Sequence, residues 1–305
     1  MTLPSTSIFV RQNDPDLLVL LKAASVSHRR AKRLASAHVS LSVLLAATGV
    51  AGVFAPALKT PGTLLGLLWA LAYAAGARLW GARETRRAAL FQEMFDVHLL
   101  GLPWNTILAG GRALPAEEVG RVARRYTDPE SRLHDYFYEA TALSRPLDVL
   151  ACQLQNLGWG ARVRRRYATA VSWVLVLWSV AGFGTGLLRS MTVSDLLLQW
   201  FVPSLGLLLL GLDTASAQRD TAAAREHAQS VLLSEMRGFA ARGRPPEDVP
   251  GLLRLARQVQ DVLLRTRLGH ARVPDWFFKR FQTSDREDFV RAMRELDRVV
   301  TDPTP

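Results

Sequence analysis

YATAVSWVLVLWSVAGFGTGLL, the stretch from Tyr167 to Leu188, contains no Asp, Glu, Lys or Arg. A helix needs roughly 20 mostly apolar residues to cross a bilayer core about 30 Å thick, and this stretch meets that requirement. Three others qualify or come close. The first runs from Ala35 to Leu58 and is most apolar between Val43 and Phe54. The second runs from Thr60 to Ala77, with Leu79 and Trp80 just past Arg78. The last, Leu196 to Leu212, is the shortest and contains Pro203. No period-2 alternation marks a strand. The expected fold class is all-α: an integral membrane protein with four transmembrane helices in two hairpins, plus helical cytoplasmic segments.

The two hairpin loops are short. Pro56 to Gly62 joins the first pair of spans, and its prolines and glycine are turn formers. Arg189 to Asp195 joins the second pair. Flanking cations set orientation, because Lys and Arg are retained on the cytoplasmic side. Arg29, Arg30, Lys32 and Arg33 precede the first span, and Arg78, Arg83, Arg86 and Arg87 follow the second. Arg162, Arg164, Arg165 and Arg166 precede the third, whereas the two loops offer only Lys59 and Arg189. Both termini and the central segment are therefore expected on the cytoplasmic side. Trp80, Tyr167 and Trp200 stand near span ends, where amphipathic rings gather.

This pattern divides the chain into five parts: an N-terminal cytoplasmic amphipathic helix (1–34), a first transmembrane hairpin (35–81), a central cytoplasmic helical segment (82–166), a second hairpin (167–212) and a C-terminal cytoplasmic helical segment (213–305). Asp14-Pro15 is a natural helix start, with Leu17, Leu18, Leu20 and Leu21 as its apolar face. Phe91, Phe95 and Leu99 recur at helical spacing and are expected to extend the second span until Leu102-Pro103-Trp104-Asn105. A further helix starts at Pro115, and another runs from Pro146 into the third span. Past Leu212 the pattern predicts helices over 213–242, 252–267 and 286–299, with a break at Gly243 to Asp248 and a turn at Val273 to Trp276.

The net charge of +11 is carried mostly by arginine, which suits topology and contact with anionic lipid. Polar Met1 to Ser7 and the brief Leu17 to Leu21 run do not read as a cleaved signal peptide. The single cysteine, Cys152, excludes an intramolecular disulfide. The six histidines are scattered, Asp96 and His98 would not share a helix face, and no Walker loop, dinucleotide fingerprint or nucleophile elbow occurs. No metal, no cofactor and no DNA or RNA polymer is expected, and the chain reads as a non-enzyme.

Small residues recur four apart in the second span at Gly62 and Gly66, and in the third at Gly182 and Gly186. Such spacing lets helix backbones approach closely. It serves packing within one four-helix unit or association between copies. No Asp, Glu, Lys or Arg lies deep in a span, which argues against an ion-coupled transporter. Trp159 followed by Arg162, Arg164, Arg165 and Arg166 could stack on a base and pair with phosphate, or could anchor the helix at lipid headgroups.

Read in order, several pieces form a set. Arg11-Gln12-Asn13 precedes a leucine-rich helix ending in Ala31-Lys32, and Phe95-Asp96 leads to Leu102-Pro103-Trp104-Asn105. Cys152-Gln153, Asn156 and Trp159 then lead into the arginine-rich approach to Tyr167, and Gln260-Asp261 and Val273-Pro274-Asp275-Trp276-Phe277 close the set. With two hairpins around a central segment, this resembles the SMODS-associated four-transmembrane (S-4TM) effector family over nearly the whole chain. Two positions depart from it. Gly160 stands where an acidic residue is usual, and Tyr136-Phe137-Tyr138 replaces a Trp-Tyr-Pro-like element.

The resemblance implies a bacterial anti-phage system. A partner nucleotidyltransferase would make a cyclic di- or oligonucleotide, and the membrane effector would assemble as a homo-oligomer and permeabilise the inner membrane. The candidate ligand contacts are Trp104, Asn105, Gln153, Asn156, Trp159 and Arg164, and the candidate helix-association positions are Gly62, Gly66, Gly182 and Gly186. Two alternatives stand beside this one. The first is a membrane scaffold that recruits a soluble partner through its C-terminal helices; the second is an enzyme using Cys152 or a histidine.

Overall fold

A computed structural model of the chain describes residues 7–76, 79, 81–111, 113–137, 143–269 and 273–281. The fold class is all-α, and no strand occurs among the described residues. The helices are α1 (Ile8–Arg11), α2 (Pro15–Phe54), α3 (Lys59–Ala75), α4 (Ala82–Leu100), α5 (Thr106–Ala109), α6 (Ala116–Ala123), α7 (Leu147–Leu188), α8 (Val193–Leu196), α9 (Val202–Ala241) and α10 (Val249–Gly269). Two compact units result. One comprises Met1–Arg30, Arg83–Arg164 and Thr221–Pro305, and the other Ala31–Ala82 and Arg165–Asp220. The division falls within α2, α7 and α9.

Three helices, α2, α7 and the stretch Val193–Ala241, are long and apolar enough to cross a membrane. The remaining expected span is α3, a helix of 17 residues, about 25 Å long at the rise of an α-helix. In the unit that holds these segments, leucines point outward. Leu64, Leu65, Leu68 and Leu71 of α3 are exposed, as are Val176, Leu177, Val180 and Phe183 of α7. An apolar surface this continuous is suited to lipid rather than water.

Glycine lets the backbones of this unit touch. Pro203 is wedged between Gly49 of α2 and Gly66 of α3: a Cβ built on Gly49 would lie 2.5 Å from Pro203 Cβ, and one on Gly66 would lie 2.3 Å from Pro203 Cα. Pro203 also explains the start of α9. It has no N–H to give the preceding turn, and residues Leu197–Phe201 immediately before it widen into a π-helical turn. The hydroxyls of Ser172, Ser179, Thr185 and Ser204 donate to the carbonyl one turn back on their own helix. Two indoles find partners across helices, Trp69 Nε1 donating to Ser42 Oγ (2.8 Å) and Trp178 Nε1 to Ser204 Oγ (3.0 Å).

The helical run extends further than the span limits suggest. Nothing between Pro15 and Phe54 breaks a helix strongly, so the N-terminal amphipathic helix and the first span form one 40-residue helix. Conversely, the expected extension of the second span into Phe91, Phe95 and Leu99 is a separate helix. Gly76 (φ 147°) and Gly81 (φ 82°) take backbone conformations that disfavour a Cβ, so α3 ends at Ala75 and α4 begins at Ala82. Arg78 and Trp80 lie outside the described residues, as do Tyr138 and the expected helix over 286–299. The expected turn at Val273 to Trp276 is a helix start: Pro274 O accepts from the Phe277 and Phe278 amides at 3.1 and 3.0 Å.

The other unit has an ordinary apolar core. Leu17, Leu18, Leu20 and Leu21 of α2 pack with Phe91, Phe95 and Leu99 of α4, Leu150 and Leu157 of α7, Leu232 and Met236 of α9, and Val259 and Leu263 of α10. Arg11-Gln12-Asn13 fastens its edges. Arg11 donates to the carbonyls of His98 and Leu99 at the end of α4. Gln12 exchanges two hydrogen bonds with the backbone of Phe137, and Asn13 donates to Asp135 Oδ1 and accepts from the Asp135 amide.

Candidate functional site

Inside this apolar shell lies a layer of polar side chains contributed by α4, α7, α9 and α10. Helix α4 is buried from Ala88 to Val97, polar residues included. Glu93 and Asp96, three apart, share a face and are both fully buried. Opposite them, α10 presents Arg257, Gln260, Asp261 and Arg267. Gln260 Nε2 donates to Glu93 Oε2 (2.7 Å) and Asp96 Oδ2 (2.9 Å). Arg267 Nη1 donates to Asp96 Oδ2 (2.6 Å). Arg257 bridges Glu93 (2.8 Å), Asp261 (2.7 Å) and the carbonyl of Pro103 (2.8 Å).

The candidate ligand residues stand in different relations to this layer. Gln153 is fully buried; its amide nitrogen donates to the carbonyl of Ala256 (2.7 Å) and to Gln260 Oε1 (3.3 Å). Asn156 Oδ1 accepts from the Tyr136 hydroxyl (3.4 Å), which in turn accepts from Gln92 (2.6 Å). Asn105 caps α5 with its oxygen and donates from its nitrogen to Asp261 (3.0 Å). Trp104 is half-buried and donates from Nε1 to the carbonyl of Gly110 (3.0 Å). Arg164 is buried on α7. The Trp159 side chain lies outside the description. Gln153 thus joins the buried layer through Gln260 and Asn105 joins it through Asp261, whereas Asn156 belongs to a separate chain of bonds with Tyr136 and Gln92. Asp96 Oδ1, Gln153 Oε1 and Asn156 Nδ2 have no hydrogen-bond partner among the described residues.

The four glycines offered for helix association face this chain's own residues. A Cβ on Gly62 would approach the backbone of Thr48, one on Gly66 Pro203, one on Gly182 the Trp200 indole (2.5 Å), and one on Gly186 Leu196 (3.2 Å).

Sequence reasoning missed Glu93, Arg257, Arg267 and Arg225. The last, 6% exposed, donates to Thr266 Oγ1 (3.1 Å) and to the carbonyl of Asn156 (3.2 Å). Its guanidinium occupies the room left by Gly160, whose Cβ would sit 2.1 Å from Arg225 Nη1. A signal was available in part: Arg257, Gln260 and Asp261, then Arg267, recur at helical spacing on one face of α10, as Gln92, Glu93 and Asp96 do on α4.

Burial sets the electrostatics. It raises the Glu93 carboxyl above its usual value, against hydrogen bonds from Gln260 and Arg257 that lower it, with Asp96 adding to the rise. Burial alone would lower Arg267, but Asp96, Tyr136 and Glu93 hold it above its ordinary value. Cys152 is 2% exposed, and burial, then Asp148 and Asp96, push its thiol well up, which is unfavourable for a thiolate nucleophile. Asp96 is buried and His98 exposed, so they do not meet. No group of three metal-ligating side chains is found among the described residues.

The Glu93 shift has a measurable sign. Its folded value lies above the unfolded one, so its contribution to stability is fully present below the ordinary 4.5 and is lost as pH rises through the folded value. Glu93→Gln should flatten this component. The difference in melting temperature between wild type and variant should change as pH is raised above 4.5. A constant difference would show that Glu93 titrates normally.

Comparison with known proteins adds two findings. The family model described as SMODS-associating 4TM effector domain matches residues 6–296. A probable CBASS effector molecule of Bacillus cereus (strain VD146) is 20% identical over 294 residues, covering 92% of this chain and 95% of that protein. No solved structure matches the chain.

Proposed function

The chain belongs to the SMODS-associating 4TM effector family, and from that membership we propose that it is the membrane effector of a CBASS anti-phage system. A cyclic di- or oligonucleotide from a partner nucleotidyltransferase activates it. Activation drives assembly of copies in the bacterial inner membrane, with both termini cytoplasmic, and the assembly permeabilises the membrane. The observation that carries this reading is the reach of the family match across both units, residues 6–296. The similarity to a probable CBASS effector along almost all of both chains supports it. The lipid-suited leucine surfaces of α3 and α7 give it a physical place to act.

The protein's part is to have two states that the nucleotide distinguishes. A ligand shifts such an equilibrium only through better affinity for one state, and a shift from 1:99 to 99:1 needs about 10⁴-fold preference. The buried layer is a fitting two-state element. Its members share partners, and Asp96 Oδ1 and Gln153 Oε1 have bonding capacity to spare. No catalysis is required of it, and the raised Cys152 thiol fits a non-enzymatic role.

The test is dye release from proteoliposomes containing the purified protein, titrated with a panel of cyclic di- and trinucleotides. Release triggered by one member of the panel, and absent in protein-free liposomes, is the expected result. Folded, inserted protein that releases no dye with any member would remove the proposal and favour a scaffold role.

A further inference from the structure

Helix α4 opens with Arg83, Arg86 and Arg87, and α6 carries Arg121. Their surroundings separate them. Arg87 is spoken for: it pairs with Glu118 of α6 (3.0 Å) and with Glu84 (3.6 Å), and Glu84 also pairs with Arg30 (3.8 Å). The Arg87–Glu118 bridge ties α4 to α6, and both neighbouring acids are used in these pairs. Arg83 and Arg86 stand within a turn of Arg87, and Arg121 stands a turn beyond Glu118. All three are exposed and make no ion pair or hydrogen bond among the described residues. Glu117, exposed on α6, is the nearest carboxylate in sequence left unpaired.

A loop borders this basic surface. A Cβ built on Gly110 would lie 3.8 Å from Arg86 Nη2, and one on Gly111 would meet nothing within 4 Å. The loop is held by the Trp104 indole, which donates to the carbonyl of Gly110 (3.0 Å). Ile107, three residues before Gly110, is 97% exposed. A free guanidinium fork beside a side-chain-free, anchored loop leaves room for a phosphate to come close.

We infer that Arg86 beside Gly110-Gly111, with Arg83 in the same turn of α4 and Arg121 on α6, which the Arg87–Glu118 bridge ties to α4, binds a phosphodiester. That chemistry has two sources, a cyclic nucleotide in solution or the headgroup of an anionic phospholipid. In the first case the inference rests on the proposed function and places its signal on an exposed face, outside the buried layer that Gln153 joins. In the second it stands without that function.

The experiment compares full-length wild type with Arg86→Gln/Arg121→Gln, and with Arg237→Gln as an exposed arginine elsewhere. Thermal unfolding first establishes that each is folded. In one arm, protein in phosphatidylcholine nanodiscs is titrated with radiolabelled cyclic di-AMP, cyclic di-GMP, cyclic GMP–AMP and cyclic tri-AMP. In the other, phosphatidylglycerol retained after detergent extraction is counted by native mass spectrometry. The double variant should lose binding in one arm by roughly tenfold or more, as expected for two charge-assisted hydrogen-bonding groups, while Arg237→Gln stays within about twofold of wild type. The arm that responds names the source. Unchanged binding in both arms, or no binding by wild type in either, overturns the site. Dye release separates the two readings. Undiminished nucleotide-triggered release from the double variant means the nucleotide does not bind here. Lost lipid retention with no nucleotide response in wild type keeps the site and removes the proposed function.

Discussion

Asp96→Ala should be among the most destabilising single substitutions in this chain, lowering the stability of its unit by about 3–5 kcal/mol. Asp96 is fully buried, and one of its oxygens accepts from both Arg267 and Gln260. Arg267 is itself 7% exposed, so the truncation leaves a guanidinium in a low-dielectric interior without its carboxylate. Glu93 still accepts from Gln260 and Arg257, but among the described residues it makes no hydrogen bond to Arg267. Folded domains are held by only about 5–15 kcal/mol, so a loss of this size is visible as a large fall in melting temperature in detergent. Asp96→Asn should cost less, because it keeps one acceptor. Pairing Asp96→Ala with Arg267→Met should recover much of the loss, since removing both charges of a buried pair is far cheaper than removing one. A double variant as unstable as the single would mean that the pair is not the source of the cost.

The second large effect is expected at Gly66→Val, in the other unit. Even the first carbon of the new side chain would stand 2.3 Å from Pro203 Cα and 3.0 Å from its carbonyl atoms. Those are backbone atoms of a residue with a fixed φ, already pressed from the other side by Gly49. The helices must therefore separate, and overpacking of this kind costs about 1–3 kcal/mol or more. Size-exclusion chromatography should show a fall in monodisperse protein, with a lower melting temperature. Gly184→Val is the control on α7, because a Cβ there meets nothing within 4 Å; it should behave as wild type. Equal behaviour of the two variants would rule out the tight Pro203 contact.

The same contacts show why glycine substitutions are a poor probe of assembly here. Gly182 and Gly186 face Trp200 and Leu196 of the same chain, so enlarging them disturbs one copy before any contact between copies is at issue. A residue such as Leu177 or Val180, exposed on α7, is a better place to look for contacts between copies.

How much was legible depended on the range of the physics involved. Helix and membrane character follow from composition along a single stretch, so Tyr167 to Leu188 announced both. Proline and glycine punctuation act locally as well, and placed the break at Gly243 to Asp248 and the helix start at Pro15. The break between α3 and α4 was harder to see, because Gly76 and Gly81 interrupt a hydrophobic period that otherwise continues into Phe91 and Phe95. The motif pieces could be picked out, but their purpose could not. Arg11-Gln12-Asn13 fastens Asp135 to Phe137 and the end of α4 through contacts about a hundred residues away in sequence, a distance no local pattern spans.

By itself, then, the sequence determined an all-α chain with apolar, membrane-crossing segments and the family to which it belongs, because hydropathy, charge and ordered motifs are properties of the chain read in one direction. Tertiary structure alone decided which polar residues are partners. Glu93, Asp96, Gln153, Gln260 and Arg267 come from three helices far apart in the chain, and a buried charge is stable only where another segment brings its counter-charge within bonding distance. It also decided which arginines are left over: Arg87 finds Glu118, while Arg83, Arg86 and Arg121 are exposed and make no ion pair among the described residues.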